Sequence, residues 1–259
     1  MSLPKGYVDA GYLQLLESQM LEFKQKSYAR MQIQPGDSVL DVGCGPGSDT
    51  LHLAQHVGAK GEVIGLDYDP AMVAEANRRV LGAGLGDRVK HQQGNATSLP
   101  FPDARFHACR SERLFQHLLF PERALFEMAR VTKPMGCVVV LDTDWGTLSI
   151  HTSLPEIERR LIQFSNETCL NNSYAGRQLP QLFEAQGLRN ISVEVLPYQI
   201  TDYGLCREVI VLDHREQEAV AAGAISQDEL DQWHEDLKAL DRTGGFFASF
   251  NLVLVAGNV

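Results

Sequence analysis

The chain predicts a doubly wound α/β sheet, and three observations carry that expectation. The apolar run Ser38-Val39-Leu40 ends in Asp41 and passes into Gly43, Gly45 and Gly47 at alternate positions, followed by a helix start near Ser48. A second run over 61–67 ends in another acid, Asp67, 20 residues after Gly47. Strand-like and helix-like stretches then alternate up to residue 141. Such alternation puts parallel strands in one sheet with helices on both faces.

Each element has its own signal. Leu13, Leu16, Met20 and Phe23 fall at helical spacing, so 10–30 reads as an amphipathic helix ahead of the first strand. Pro35-Gly36-Asp37 breaks it and delivers the strand at 38–41. Residues 50–57 form a helix stopped by Gly58, and 70–81 one stopped by Gly82. Asp69-Pro70 opens the latter, with a capping acid before a proline at the first helical position. Strands are expected at 89–92 and 105–110, and a helix at 121–131 with Leu125 and Met128 inward. The uninterrupted run Cys137-Val138-Val139-Val140-Leu141 suits a strand covered on both faces. Residues 142–146 read as a loop, 155–169 and 177–186 as helices, and 191–200 and 246–256 as long strands. Between those strands, 208–222 looks helical. Ser226-Gln227-Asp228-Glu229 is a capping box ahead of Leu230, Trp233, Leu237 and Leu240 on one face. The expected organisation is an amino-terminal helical cover (1–33), a core (34–200 with 246–259) and a helical insertion within that core (201–245).

The glycine loop states the chemistry. Glycines remove Cβ atoms where the backbone turns and a ligand lies against it, and the following helix offers free N–H groups. A dinucleotide site prefers G-x-G-x-x-G and no nearby negative charge, because it holds a pyrophosphate. Here the sixth position is Ser48, and Asp41 stands two residues before the first glycine. A ligand with an ammonium group and a nucleoside but no phosphate fits better, and S-adenosylmethionine is such a molecule. Asp67 then accepts the ribose hydroxyls.

These residues resemble the class I S-adenosylmethionine-dependent methyltransferases, in the small-molecule branch that includes the ubiquinone/menaquinone-type enzymes. Asp41-Val42-Gly43-Cys44-Gly45-Pro46-Gly47 is similar to the family's glycine loop, and Gly65-Leu66-Asp67 to its second-strand acid. Gly94-Asn95-Ala96 with Leu99-Pro100-Phe101-Pro102-Asp103 is similar to the stretch that holds adenine. Arg130-Val131-Thr132-Lys133-Pro134-Met135-Gly136 is similar to the turn before strand five. Two positions depart from the pattern: Asn95 replaces an acid, and Met135 replaces a glycine. The resemblance implies a Rossmann-like, seven-stranded sheet of order 3-2-1-4-5-7-6 with the last strand antiparallel. It also implies S-adenosyl-L-methionine as cofactor and methyl transfer to an O, N, S or C nucleophile of a small molecule. The expected cofactor contacts are Asp41, Gly43, Cys44, Gly45, Gly47, Asp67, Tyr68, Met72, Asn95, Ala96, Arg110 and Ser111. Two other readings stay open: a protein that binds this cofactor without turnover, and an NAD-dependent oxidoreductase. Ser48, Asp41 and the closing antiparallel pair speak against the latter.

The substrate pocket is expected from Tyr7, Tyr12, Phe115, Gln116, Asp144, Trp145 and His151, while Glu112 and Arg113 read as surface charges. His117 is the candidate base, although its position suits a pocket wall equally well. Asp142 and Asp144 form an i, i+2 acid pair, too few oxygens for Mg²⁺, so no metal is expected. With 44% hydrophobic residues the 259-residue chain has ample material for a core. A formal net charge of −10 argues against nucleic acid or an anionic membrane as partner. Five cysteines without C-x-x-C suit a reducing cytoplasm. No apolar run reaches the length of a membrane span, and the amino terminus lacks a signal-peptide stretch. Oligomeric state leaves no mark in the sequence.

Overall fold

The computed structural model describes residues 10–259; Tyr7 lies outside them. Its strands are β1 (Ser38–Val42), β2 (Glu62–Asp67), β3 (Val89–Gln93), β4 (Phe106–Glu112), β5 (Thr132–Ile150), β6 (Arg189–Ile200) and β7 (Ala248–Asn258). They join in one sheet of order β3-β2-β1-β4-β5-β7-β6, with β7 antiparallel to both neighbours, as the resemblance implies. The helices are α1 (Ala10–Gln19), α2 (Leu21–Arg30), α3 (Ser48–Val57), α4 (Pro70–Gly82), α5 (Pro121–Val131), α6 (Pro155–Thr168), α7 (Ala175–Ala185), α8 (Tyr203–Val209), α9 (Leu212–Ala221) and α10 (Gln227–Arg242).

Successive strand residues point to opposite faces, which is why the central strands are apolar throughout. Val39, Val139, Leu141, Leu252 and Leu254 meet α1, α2, α3, α6 and α8–α10 on one face. Leu40, Val42, Val138, Val140 and Val255 meet α5 and α7 on the other. Leu125 and Met128 are fully buried there. The capping box at Ser226 forms in both directions, and Asp69 Oδ1 caps α4 by accepting from the Ala71 N–H at 2.8 Å.

Four expectations need correction. Residues 142–146 are strand, because β7 keeps pairing through Asp142–Val253, Thr143–Leu252 and Asp144–Asn251 before a bulge, and the ladder resumes at Ser149. The helix over 10–30 is two helices divided at Met20. The helix over 208–222 is also two, divided at Val211, whose φ of +52° places a β-branched residue in left-handed backbone. Finally, β4 runs on to Glu112, so Glu112 and Arg113 are not surface charges: their side chains are only 5% and 13% exposed. The segment carrying α8–α10 leaves β6 at Ile200 and returns to β7 at Ala248, which is Ile200's own pairing partner.

Candidate active site

The glycine loop folds as its composition demands. Gly43, Gly45 and Gly47 all have positive φ, a region in which glycine alone is unstrained. Gly47 also needs its bare Cα, since a Cβ there would stand 2.8 Å from Ala76 Cβ. Asp67 ends β2 beside the loop, and its Oδ2 accepts from the Gly45 N–H at 2.8 Å while Oδ1 accepts from Asp69 N–H at 2.9 Å. Burial raises Asp67 above its ordinary carboxylate value against those two donors. Each oxygen keeps a lone pair for a further hydroxyl.

Asp41 sits beneath the loop in a network that sequence reasoning missed. Arg110, fully buried and level with Asp41 across the β1–β4 pairing, lies 3.2 Å from Asp41 Oδ1 and 3.2 Å from Asp49 Oδ2. It also pairs with Glu112 and donates to Ser27 Oγ at 2.9 Å. Lys24, from α2, reaches Asp49 and Glu112, each at 2.9 Å, and the Tyr28 hydroxyl donates to Asp49. Burial opposes ionisation of all three acids. Arg110 and Lys24 overcome it at Asp49 and hold that carboxyl well below its usual range. Asp41 pairs directly with Arg110 and feels Lys24 only from farther away, and burial raises it instead. Its Oδ2 is buried without a hydrogen-bond partner, as is Ser111 Oγ. A carboxylate oxygen left over beneath a bare glycine loop fits an ammonium group, and Asp67 fits a ribose, so the donor set suits the expected cofactor.

The other predicted cofactor residues fall around this loop in different states. Cys44, Met72 and Ala96 are buried, whereas Tyr68 is 70% exposed. Asn95 spends its carbonyl oxygen on the N–H and hydroxyl of Thr97, both at 2.9 Å. Its amide therefore faces outward as a donor, suited to a ring nitrogen of adenine rather than to the exocyclic amino group. The Arg110 side chain is spent within the network.

The substrate-pocket candidates divide. Tyr12, Gln116 and Trp145 come together: Trp145 Nε1 donates to Gln116 Oε1 at 2.7 Å, and the Tyr12 hydroxyl donates to the Val209 carbonyl at 2.7 Å and meets Arg113. Asp142 anchors this turn by accepting from the Phe115 N–H at 2.7 Å. His117 ends it, half-buried, with Nε2 at 3.2 Å from Gln116 Nε2. Phe115 itself is fully buried in the layer under α5 and α7. Asp144 turns to α7, where Arg177 Nε donates to it at 2.7 Å. His151 is exposed and lies near Asp236 of α10. Among the described residues no group of three His, Cys, Asp or Glu side chains is arranged to hold a metal.

Two features escaped the sequence. Arg215 of α9 stacks on Trp145, its guanidinium carbon 4.4 Å from the ring centroid. Helix α1 lies on the glycine loop, with Leu13 Cδ1 3.3 Å from where a Gly45 Cβ would stand and Glu17 accepting from Ser48 Oγ at 2.8 Å.

Comparison with known proteins agrees with this geometry. Residues 39–136 match the family described as a methyltransferase domain. A demethylmenaquinone methyltransferase of Geobacillus kaustophilus is 34% identical over 192 residues, 69% of this chain and 81% of that protein. An uncharacterised 37.1 kDa protein from a transposon of Streptomyces fradiae is 31% identical over 233 residues. That match takes in 90% of this chain and 66% of the relative, just under two thirds of its length. The crystal structure of the YcgJ protein of Bacillus subtilis superposes with a TM-score of 0.66 at 20% identity, over 92% of this chain and 98% of that one, a likeness of fold. A glycine loop above a buried acid, a second-strand acid beside it and a sheet closed by an antiparallel β7 meet in one chain, which therefore belongs to the class I S-adenosylmethionine-dependent methyltransferases and resembles their ubiquinone/menaquinone-type members.

Proposed function

We propose that the acceptor is a small molecule whose nucleophile ionises readily, methylated in a cleft roofed by α1 and walled by Gln116, Trp145 and the insertion. The observation that carries this reading is the course of α1, which spans from Gly45 through Leu13 to the Val209 carbonyl through Tyr12. The cofactor supplies an electrophilic methyl on a positively charged sulfur, a leaving group that needs no protonation. The nucleophile's electron pair forms the new bond to carbon as the carbon–sulfur bond breaks, and its own proton goes to solvent. The chain's part is positioning, which can supply ~7–11 kcal/mol of the barrier in favourable cases. Asp41 holds the ammonium end, Asp67 the ribose, and the Asn95 and Ala96 segment the adenine. Leu13 and Tyr12 exclude water above the reacting atoms. No Ser-His-Asp-like set is present among the described residues of the cleft, and His117 lines the wall. The Geobacillus relative's name gives a demethylated menaquinone as its acceptor, and an aromatic nucleophile of that general kind suits the Trp145 wall.

Deleting residues 1–19 tests the roof. The cut stops short of α2, so Lys24, Ser27 and Tyr28 keep the buried network intact. The shortened protein should fold and bind S-adenosylmethionine in calorimetry yet lose turnover, because a lid completes the site and keeps water out. Full turnover by the folded deletion protein would sink the roof.

A further inference from the structure

Arg215 is the charged side chain that the methyltransferase reading leaves unexplained. It is 91% removed from solvent, at 9% exposure, and no carboxylate among the described residues lies within ion-pair distance of it. The acids nearest it in α9 are committed elsewhere. Glu216 accepts from Trp233 Nε1 at 2.8 Å and meets His234 Nε2 at 2.8 Å. Glu218 takes the Cys169 thiol at 3.3 Å and faces His214 at 3.5 Å. Its other electrostatic neighbours are Tyr12, Cys169 and Cys206, none of them an anion at neutral pH in this setting: burial raises all three. Glu218 acts on Arg215 only from beyond ion-pair distance, and a buried cation without a paired carboxylate is costly to desolvate, so its place in the fold suits an occupant that supplies the charge.

The surroundings say where that occupant sits. The guanidinium lies on the face of Trp145, the indole bonded to Gln116, and Gln116 belongs to the turn at the end of β4. Tyr12 of the roofing helix faces both Arg215 and Arg113. Arg113, held at a left-handed φ of +49°, reaches Glu112 at 3.3 Å, a carboxylate that already serves Lys24 and Arg110, and also meets the Tyr12 hydroxyl and the field of Asp142. Lys24, Arg110 and Arg113 are thus paired with Asp41, Asp49 and Glu112, whereas Arg215 has no carboxylate among the described residues within ion-pair distance. The cofactor brings further positive charge.

Resting on the acceptor cleft proposed above, we infer that the methyl acceptor carries an anionic oxygen group, a carboxylate or a phenolate, which binds Arg215 over the indole of Trp145. Arginine suits such a group because its planar fork meets two oxygens while its face stays on the ring.

The test measures binding of benzoate, 4-nitrophenolate and neutral benzamide to the full chain in the presence of S-adenosylhomocysteine. Wild type, Arg215→Met and Arg215→Lys are compared, together with their melting temperatures. One or both anions should bind wild type and benzamide should not. Arg215→Met should weaken the anion roughly tenfold to a hundredfold, as expected for lost hydrogen bonds to a charged group. Arg215→Lys should recover part of that loss. Arg215→Met should also melt higher than wild type, since it removes an unpaired buried charge at similar volume. Preference for benzoate places the anion on a side group, and preference for 4-nitrophenolate places it on the reacting oxygen. Benzamide binding as well as benzoate, indifferent to Arg215→Met, overturns the anion but leaves the cleft. Binding of no ring compound at all, with S-adenosylhomocysteine still bound, overturns the cleft and the anion together. A lowered melting temperature with unchanged anion binding makes Arg215 structural and ends the proposal.

Discussion

The cofactor half and the acceptor half of this site are built on different plans. The proposed cofactor half rests mainly on two stretches of adjacent residues, Asp41 to Gly47 and Gly65 to Asp69, each of which ends a strand and starts a helix, with the Asn95 and Ala96 segment beside them. Its geometry is local: a positive φ, a missing Cβ, an acid at a strand end. The proposed acceptor half draws Tyr12, Arg113, Gln116, Trp145 and Arg215 from two helices, one turn and one long strand, and nothing in their immediate neighbours announces them. The lesson is that a site read from backbone chemistry survives in a short motif. A site assembled from side chains of distant segments exists only once the chain has folded.

The buried network joins the two halves, so it offers the sharpest way to break the comparison. Lys24→Ala removes the cation that α2 sends to Asp49 and Glu112 and leaves both acids to Arg110. The expected loss is about 3 kcal/mol of stability, near the low end for breaking a buried pair because Arg110 remains. Chemical denaturation at neutral pH checks it, and an unchanged midpoint would show that the network is ornamental. A smaller effect is confined to the cofactor half. Asp67→Ala leaves the ribose hydroxyls and the Gly45 amide unpaired, which should weaken S-adenosylmethionine by ~1–3 kcal/mol, roughly tenfold to a hundredfold, with little change in fold. Calorimetry that finds equal affinity would remove Asp67 from the site. On the acceptor side, His117→Ala should slow turnover by less than about tenfold if the residue lines a wall. A loss above roughly a hundredfold, with disappearance of a titration near neutral pH, would make it the base. The smallest change lies outside both halves. Met135 is 79% exposed at a φ of +67°, so Met135→Gly relieves left-handed strain without losing packing. It should raise stability by ~0.5–1 kcal/mol, the strain of ~1–2 less what glycine's freer unfolded chain takes back.

The strands were legible because apolar runs, glycine breaks and capped helices agreed, while their order in the sheet came from the family resemblance of the motifs. The misreadings have physical causes. Asp142-Thr143-Asp144 looks like a loop, yet pairing with β7 outweighs the low strand preference of the two acids. Val211 gives no sign of a helix break, since a β-branched residue is among the least expected in left-handed backbone. For Lys24 and Arg215 a signal was present. Lys24 and Ser27 continue the buried row from Met20 to Met31, and Arg215 and Glu216 lie between Leu212 and Ala219 at the same helical spacing. A charge on an apolar stripe reads as a fault in the pattern until its partners are known. Arg113 and Glu112 gave no comparable sign, because a strand end followed by a left-handed residue has no periodicity to violate.

The insertion that carries Arg215 leaves and re-enters the sheet on one rung, where Ile200 pairs with Ala248. Chain ends held this close make the excursion cheap in closure entropy, which grows only as the logarithm of loop length, by about 0.6 kcal/mol for each doubling. The backbone ladder on either side of the rung needs no hydrogen bond from what is tied between its ends, although α8–α10 pack on its face. Longer, shorter or differently charged helices grafted at Thr201 and Phe247 would place another side chain over Trp145 and leave the glycine loop, its acids and their register untouched. On the proposed division of the site, the segment that would meet the acceptor can thus change without rebuilding the strands that carry the glycine loop.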